Sequence, residues 1–89
     1  MKVDLDAFPR WQKMADEHWK EFCPKMYQAY KTAGELKYKL AEAATMTHLE
    51  MDALENQGFS FHEAWEMTRE KYILLPPEPE VMDEWERDD

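Results

Sequence analysis

One cysteine, two glycines and eleven basic residues are all that this 89-residue chain holds of those types. The single cysteine, Cys23, excludes an intramolecular disulfide framework and leaves too few ligands for a cysteine-rich zinc finger. It fits a reduced, cytosolic setting. Long apolar runs are missing too. Tyr72-Ile73-Leu74-Leu75 is far too short to span a bilayer, and Met1 to Asp6 lacks the apolar core of a signal peptide. The expectation is therefore a cytoplasmic protein. A chain of this length builds one core and has little room for a deep substrate pocket.

Positive charge is also scarce. Eleven Lys and Arg face twenty Asp and Glu, for a net charge of -9. That balance argues against direct nucleic-acid binding, which needs cations to displace the counterions of phosphates. It suits a protein partner with a basic surface, such as a nucleic-acid-binding complex. The charge is unevenly spread. Arg10 to Lys39 holds seven basic and four acidic residues, whereas Leu40 to Glu70 holds seven acidic residues against Arg69 alone. Glu78 to Asp89 again sets seven acidic residues against Arg87.

Aromatics and helical spacing are abundant. Four Trp, four Tyr and four Phe supply an aromatic-rich core. Phe8, Trp11, Ala15, Trp19 and Phe22 recur at spacings of three and four, which marks one face of a helix over 7–22. Asp6 is the expected N-cap, with Pro9 in the first turn. Pro24 must kink this helix or restart it, and a short second helix runs to 33, where Gly34 suits the left-handed residue after a helix. Residues 35–57 form the longest segment, with Leu36, Leu40, Ala43, Thr47, Met51 and Leu54 on one face and Met46, Leu49 and Ala53 widening it. Ser60 and Glu63 make a capping box that starts a helix over 60–74. Pro76-Pro77-Glu78-Pro79 then stops it.

The expected fold is all-α: a small bundle of three to four helices over residues 1–75, followed by a proline-separated acidic tail over 76–89. The expected core is Phe8, Trp11, Trp19, Phe22, Leu36, Leu40, Met51, Leu54, Phe61, Trp65 and Tyr72. Leftover aromatic surface makes a homodimer a candidate state, because small bundles gain stability by association.

Several motifs invite a chemical reading. His62-Glu63-Ala64-Trp65-Glu66 resembles a zinc-protease helix, but its second ligand is Glu66 rather than His, and Glu63 already serves the capping box. Asp52, Glu55, Glu63 and Glu66 could hold magnesium in a nucleotide hydrolase, although no basic residue or Asn completes a phosphate site. Cys23 lacks a base in helical register, since His18 is five residues upstream. Tyr27, Tyr30, Lys31, Lys37, Tyr38 and Lys39 interleave aromatics with lysines, and read as core tyrosines beside solvated lysines. No catalytic residue, cofactor or metal is expected. The expected partner-binding residues lie in the tail: Glu78, Glu80, Val81, Met82, Asp83, Glu84, Trp85 and Glu86. There Val81, Met82 and Trp85 share one side of a short helix as anchors, and carboxylates meet Arg or Lys on the partner.

From Asn56 to Glu80 the pattern N-Q-G-x-x-x-H-E-A-W-E-x-x-R-E-x-Y-x-x-L-P-P-E-P-E resembles small uncharacterised proteins of bacteriophages and prophages. The resemblance covers less than a third of the chain and implies a mobile-element origin and a bacterial host cytoplasm. Small acidic proteins of that origin include inhibitors of host defence, such as anti-CRISPR proteins, and assembly factors. By analogy the chain is expected to be such an interaction protein.

Overall fold

The computed structural model describes residues 3–79, and within them the chain forms four α-helices: α1 (Pro9–Phe22), α2 (Pro24–Ala33), α3 (Leu36–Asn56) and α4 (Phe61–Tyr72). No strand occurs among the described residues. The fold is thus a small all-α bundle, in which α3 packs on α1, α2 and α4, and α1 also packs on α2. No helix among the described residues is long and apolar enough to cross a membrane.

Helix boundaries follow local chemistry with one exception. Pro24 restarts rather than kinks the chain: Cys23 leaves helical geometry, and Pro24 takes the first position of α2, where a missing N–H costs nothing. Gly34 adopts φ 75°, and the Glu35 N–H donates to the Tyr30 carbonyl at 2.9 Å, which closes α2 in a Schellman-type turn. At α4, the Glu63 N–H donates to Ser60 Oγ at 3.2 Å and the Ser60 N–H donates to Glu63 Oε1 at 3.1 Å, completing the capping box. The exception is α1. Its cap position is Phe8, not Asp6, and no side chain caps it. The Asp6 N–H instead donates to Asp4 Oδ1 at 2.9 Å, so the preceding residues form their own turn.

Gln12 secures that turn. It is buried, its Nε2 donates to the carbonyls of Leu5 (2.9 Å) and Ala7 (2.7 Å), and Lys37 Nζ donates to its Oε1 at 3.1 Å. One side chain thereby links the N-terminal turn, α1 and α3.

The core gathers Ala15, Trp19, Cys23, Tyr27, Leu40, Ala43 and Ile73. Tyr27 is buried yet satisfied, since its hydroxyl donates to Asp16 Oδ1 at 3.0 Å. Small residues supply the stripes of α3 and α4: Ala41, Ala44 and Thr47 on one, Ala64 and Thr68 on the other, all fully enclosed. Two expectations fail here. Phe61 is 63% exposed because it stands in the first turn of α4, at the end of the bundle. Leu49 is 46% exposed, so the face of α3 contacted by other helices is narrower than its apolar pattern.

After α4 the chain turns back. The Leu74 N–H donates to the Arg69 carbonyl at 2.7 Å, and Ile73 is fully buried. Residues 74–79 then run as a strap over the α1–α2 junction. Trp19 Nε1 donates to the Ile73 carbonyl (3.0 Å), and the Glu78 N–H donates to the Phe22 carbonyl (2.9 Å). His18 Nε2 lies 2.7 Å from the Leu75 carbonyl, and the Cys23 thiol 3.6 Å from that of Pro76. Residues 76–79, assigned by the sequence to a tail, are held against the bundle.

Candidate interaction surface

The clearest surface feature is a row of aromatic rings crossing from α3 to α4. His48 of α3 stacks on Phe8, with centroids 4.7 Å apart, and Phe8 stacks on Trp11 at 5.3 Å. Trp11 in turn lies almost parallel to Trp65 of α4, at 5.8 Å and 9°. Phe61 stands one helical turn before Trp65, so it projects from the same side of α4. His48, at one end of the row, and Phe61, one turn beyond Trp65 at the other, are exposed, and Phe8, Trp11 and Trp65 are half-buried.

Two local features place these rings. Phe8 has a left-handed backbone, φ 50° and ψ 61°, and is the one non-glycine residue with positive φ among those described. For a bulky L-residue this conformation costs about 1–2 kcal/mol. Pro9, fixed at the first position of α1, and the stacks on Trp11 and His48 hold it there. On α4, the capping box fixes the first turn and with it the position of Phe61.

Both helices that carry the row also carry exposed carboxylates, those of α4 on the side away from Phe61 and Trp65. Asp52 and Glu55 follow His48 on α3 at intervals of four and seven residues, hence on one side of that helix. Glu63, Glu66 and Glu70 are exposed along α4, and Met67 is exposed between them. Hydrogen bonds from the backbone and hydroxyl of Ser60 hold the Glu63 carboxyl below its ordinary value, so it is charged at neutral pH. Rings of low conformational freedom, with Asp52 and Glu55 on the His48 side of α3, present apolar area at low entropic cost together with negative charge.

The residues singled out from sequence divide sharply. Glu78 faces inward along the strap: the Lys25 and Met26 N–H groups donate to its Oε1 and Oε2, both at 3.0 Å. It therefore caps α2, whose own cap residue, Cys23, offers no side-chain bond. Glu80, Val81, Met82, Asp83, Glu84, Trp85 and Glu86 lie outside the described residues. Asp52, Glu55, Glu63 and Glu66 do not converge, and the described residues hold no group of three His, Cys, Asp or Glu that could bind a metal ion. His62 Nε2 pairs with Glu66 Oε1 at 3.0 Å across one turn, with both side chains exposed. Cys23 is buried, and burial, with the nearby Glu78 charge second, pushes its thiol up, away from the thiolate. His18 is engaged by the strap and by the Phe22 ring, 4.6 Å away.

The aromatic row was missed at the level of sequence because Phe8, Trp11 and Trp65 have core spacing, and spacing alone does not tell a core stripe from a half-exposed one. No family model, no curated protein and no solved structure matches the chain.

Proposed function

We propose that this chain is a small acidic protein-interaction factor of phage or mobile-element origin. It acts in the bacterial cytoplasm by binding a basic surface of a host protein or complex, as an inhibitor of host defence of the anti-CRISPR kind. The observation that carries the binding part of this reading is Phe61, 63% exposed one helical turn before Trp65, whose ring stacks on Trp11. A solvent-facing Phe held by a capping box adds little to the bundle's own stability. It suits an anchor that enters a partner's pocket while Asp52, Glu55 and Glu66 meet Arg or Lys around it. The net charge of -9 accelerates encounter with such a partner and disfavours free nucleic acid as a competitor.

The test is affinity capture from bacterial lysate at low salt, with the parent chain beside Phe61→Ser. Loss of an aromatic anchor typically costs 2 kcal/mol or more, about a 30-fold weakening. The same exposed rings also suit a second copy of the chain. Sizing across a range of concentrations separates self-association from capture of a host protein.

A further inference from the structure

The aromatic row requires Phe8 to keep a backbone that neither its own chirality nor its neighbour favours. At φ 50° and ψ 61° an L-residue brings its Cβ against the following carbonyl. A residue before proline, as Phe8 is before Pro9, defaults to extended geometry. By local preference alone Phe8 would extend and carry its ring away from Trp11 and His48. Its φ and ψ are set by the two rigid peptide planes that flank it. The plane before Phe8 carries the Ala7 carbonyl, and the plane after it carries the Phe8 carbonyl. Gln12 holds both. Its Nε2 donates to the Ala7 carbonyl at 2.7 Å, and its backbone N–H donates to the Phe8 carbonyl at 3.0 Å.

We infer that Gln12 is the positioning residue of the aromatic row, acting through the backbone of Phe8. The chemistry of the site selects a glutamine. Both hydrogens of Nε2 are used, one on the Ala7 carbonyl and one on the Leu5 carbonyl at 2.9 Å, and Oε1 accepts from Lys37 Nζ at 3.1 Å. A glutamate at this position has no donor when ionised, a lysine or arginine has no acceptor for Lys37, and an asparagine is one methylene shorter. The side chain is 5% exposed, so these partners are protein groups rather than water. The bond to Leu5 adds rigidity ahead of Phe8, where the Ala7 N–H donates to the Asp4 carbonyl at 3.1 Å and closes the turn. From Phe8 the effect passes by ring contact to His48 at 4.7 Å and to Trp11 at 5.3 Å. Without the amide, Phe8 leaves both rings, while Trp11 and Trp65 stay on their helices. Where the row serves partner binding, as proposed above, Gln12 acts in it only through Phe8.

The experiment reads the His48 ring protons of the full chain by NMR, with every sample at one pH. Phe8→Ala gives their positions without the stack. Gln12→Met keeps the side chain's length and removes all of its polar contacts. Gln12→Glu removes the donors but keeps an acceptor for Lys37. Both variants should move the His48 ring protons most of the way to their Phe8→Ala positions. The Trp19 indole proton, bonded to the Ile73 carbonyl in the core, should stay in place. Unmoved His48 protons in Gln12→Met would overturn the proposal. Unmoved protons in Gln12→Glu alone would also overturn it, by assigning the hold on Phe8 to the Lys37 bond. So would equal displacement of the Trp19 and His48 signals in both variants, since Gln12 would then support only the bundle as a whole. Where one variant fails to fold, the other decides by the same comparison. No partner takes part in this measurement, so capture through Phe61 can succeed or fail independently.

Discussion

Replacing Glu78 with alanine tests how far the strap belongs to the bundle. In the parent, the carboxylate accepts from the amides of Lys25 and Met26, each at 3.0 Å, and so satisfies two of the orphan donors at the start of α2. Losing a helix cap costs about 0.5–2 kcal/mol, and hydrogen bonds to a charged group sit toward the upper end. At about 4–8 °C per kcal/mol for a domain of this size, an expected loss of about 1–2 kcal/mol lowers the melting temperature by about 4–16 °C. Thermal melting followed by helical circular dichroism reads this directly. Cys23 gives a second, local readout, since its thiol lies 3.6 Å from the Pro76 carbonyl of the strap. Burial and the Glu78 charge both hold the thiol protonated, so Glu78→Ala should speed alkylation of Cys23 by loosening the strap and by removing the charge. Glu78→Gln, which keeps an acceptor oxygen, should fall between parent and alanine. Exposed Glu17 on α1 is the control, where alanine should change stability by less than about 0.5 kcal/mol. An unchanged melting temperature together with unchanged Cys23 labelling in Glu78→Ala would refute the reasoning.

Three further outcomes are expected. Among the described residues, Thr68 Oγ1 is enclosed without a hydrogen-bond partner, so Thr68→Val should leave stability unchanged or raise it by up to about 1 kcal/mol in chemical denaturation. Trp19→Phe removes the indole N–H bonded to the Ile73 carbonyl and opens space in the core, and should cost about 2–3 kcal/mol by the same measurement. The folded Glu63 carboxyl is held below its ordinary value of 4.5 by Ser60, so its contribution is present above about pH 4.5 and lost as pH falls through the lower folded value. Ser60→Ala should therefore destabilise the chain near neutrality and flatten this part of its acid limb, and parallel acid-unfolding curves for the two proteins would contradict that sign.

Elements with their own local signal were legible in the sequence. Ser60 and Glu63, Pro24 and Gly34 each fix a helix end by short-range chemistry, and the structure places those ends where these residues require them. What depends on long-range contact was not legible. Asp6 looks like a cap, yet Phe8 takes that place because Asp4 closes a separate turn and Gln12 binds the carbonyls of Leu5 and Ala7. Ile73 carries no periodic signal past the end of α4, but the reversal of the chain buries it completely. Pro76-Pro77-Glu78-Pro79 reads as a linker by composition, whereas the Pro76 carbonyl and the Glu78 carboxylate find donors more than 50 residues away. For the candidate surface, the acidic residues of α3 and α4 could be read from the chain. The aromatic row could not, because its half-exposure is decided by where α4 ends relative to α1 and α3.

Whether the acidic and aromatic surface binds a basic partner is decided by capture from bacterial lysate with the parent, Phe61→Ser and Glu66→Lys side by side. All three chains should melt alike, since both side chains are exposed. The parent should retain a stoichiometric partner at low salt and lose most of it in high salt, where charges are screened within about 3 Å at 1 M rather than about 8 Å at physiological strength. Either substitution should abolish that retention. No stoichiometric partner at low salt, or one retained equally by all three chains, would contradict it.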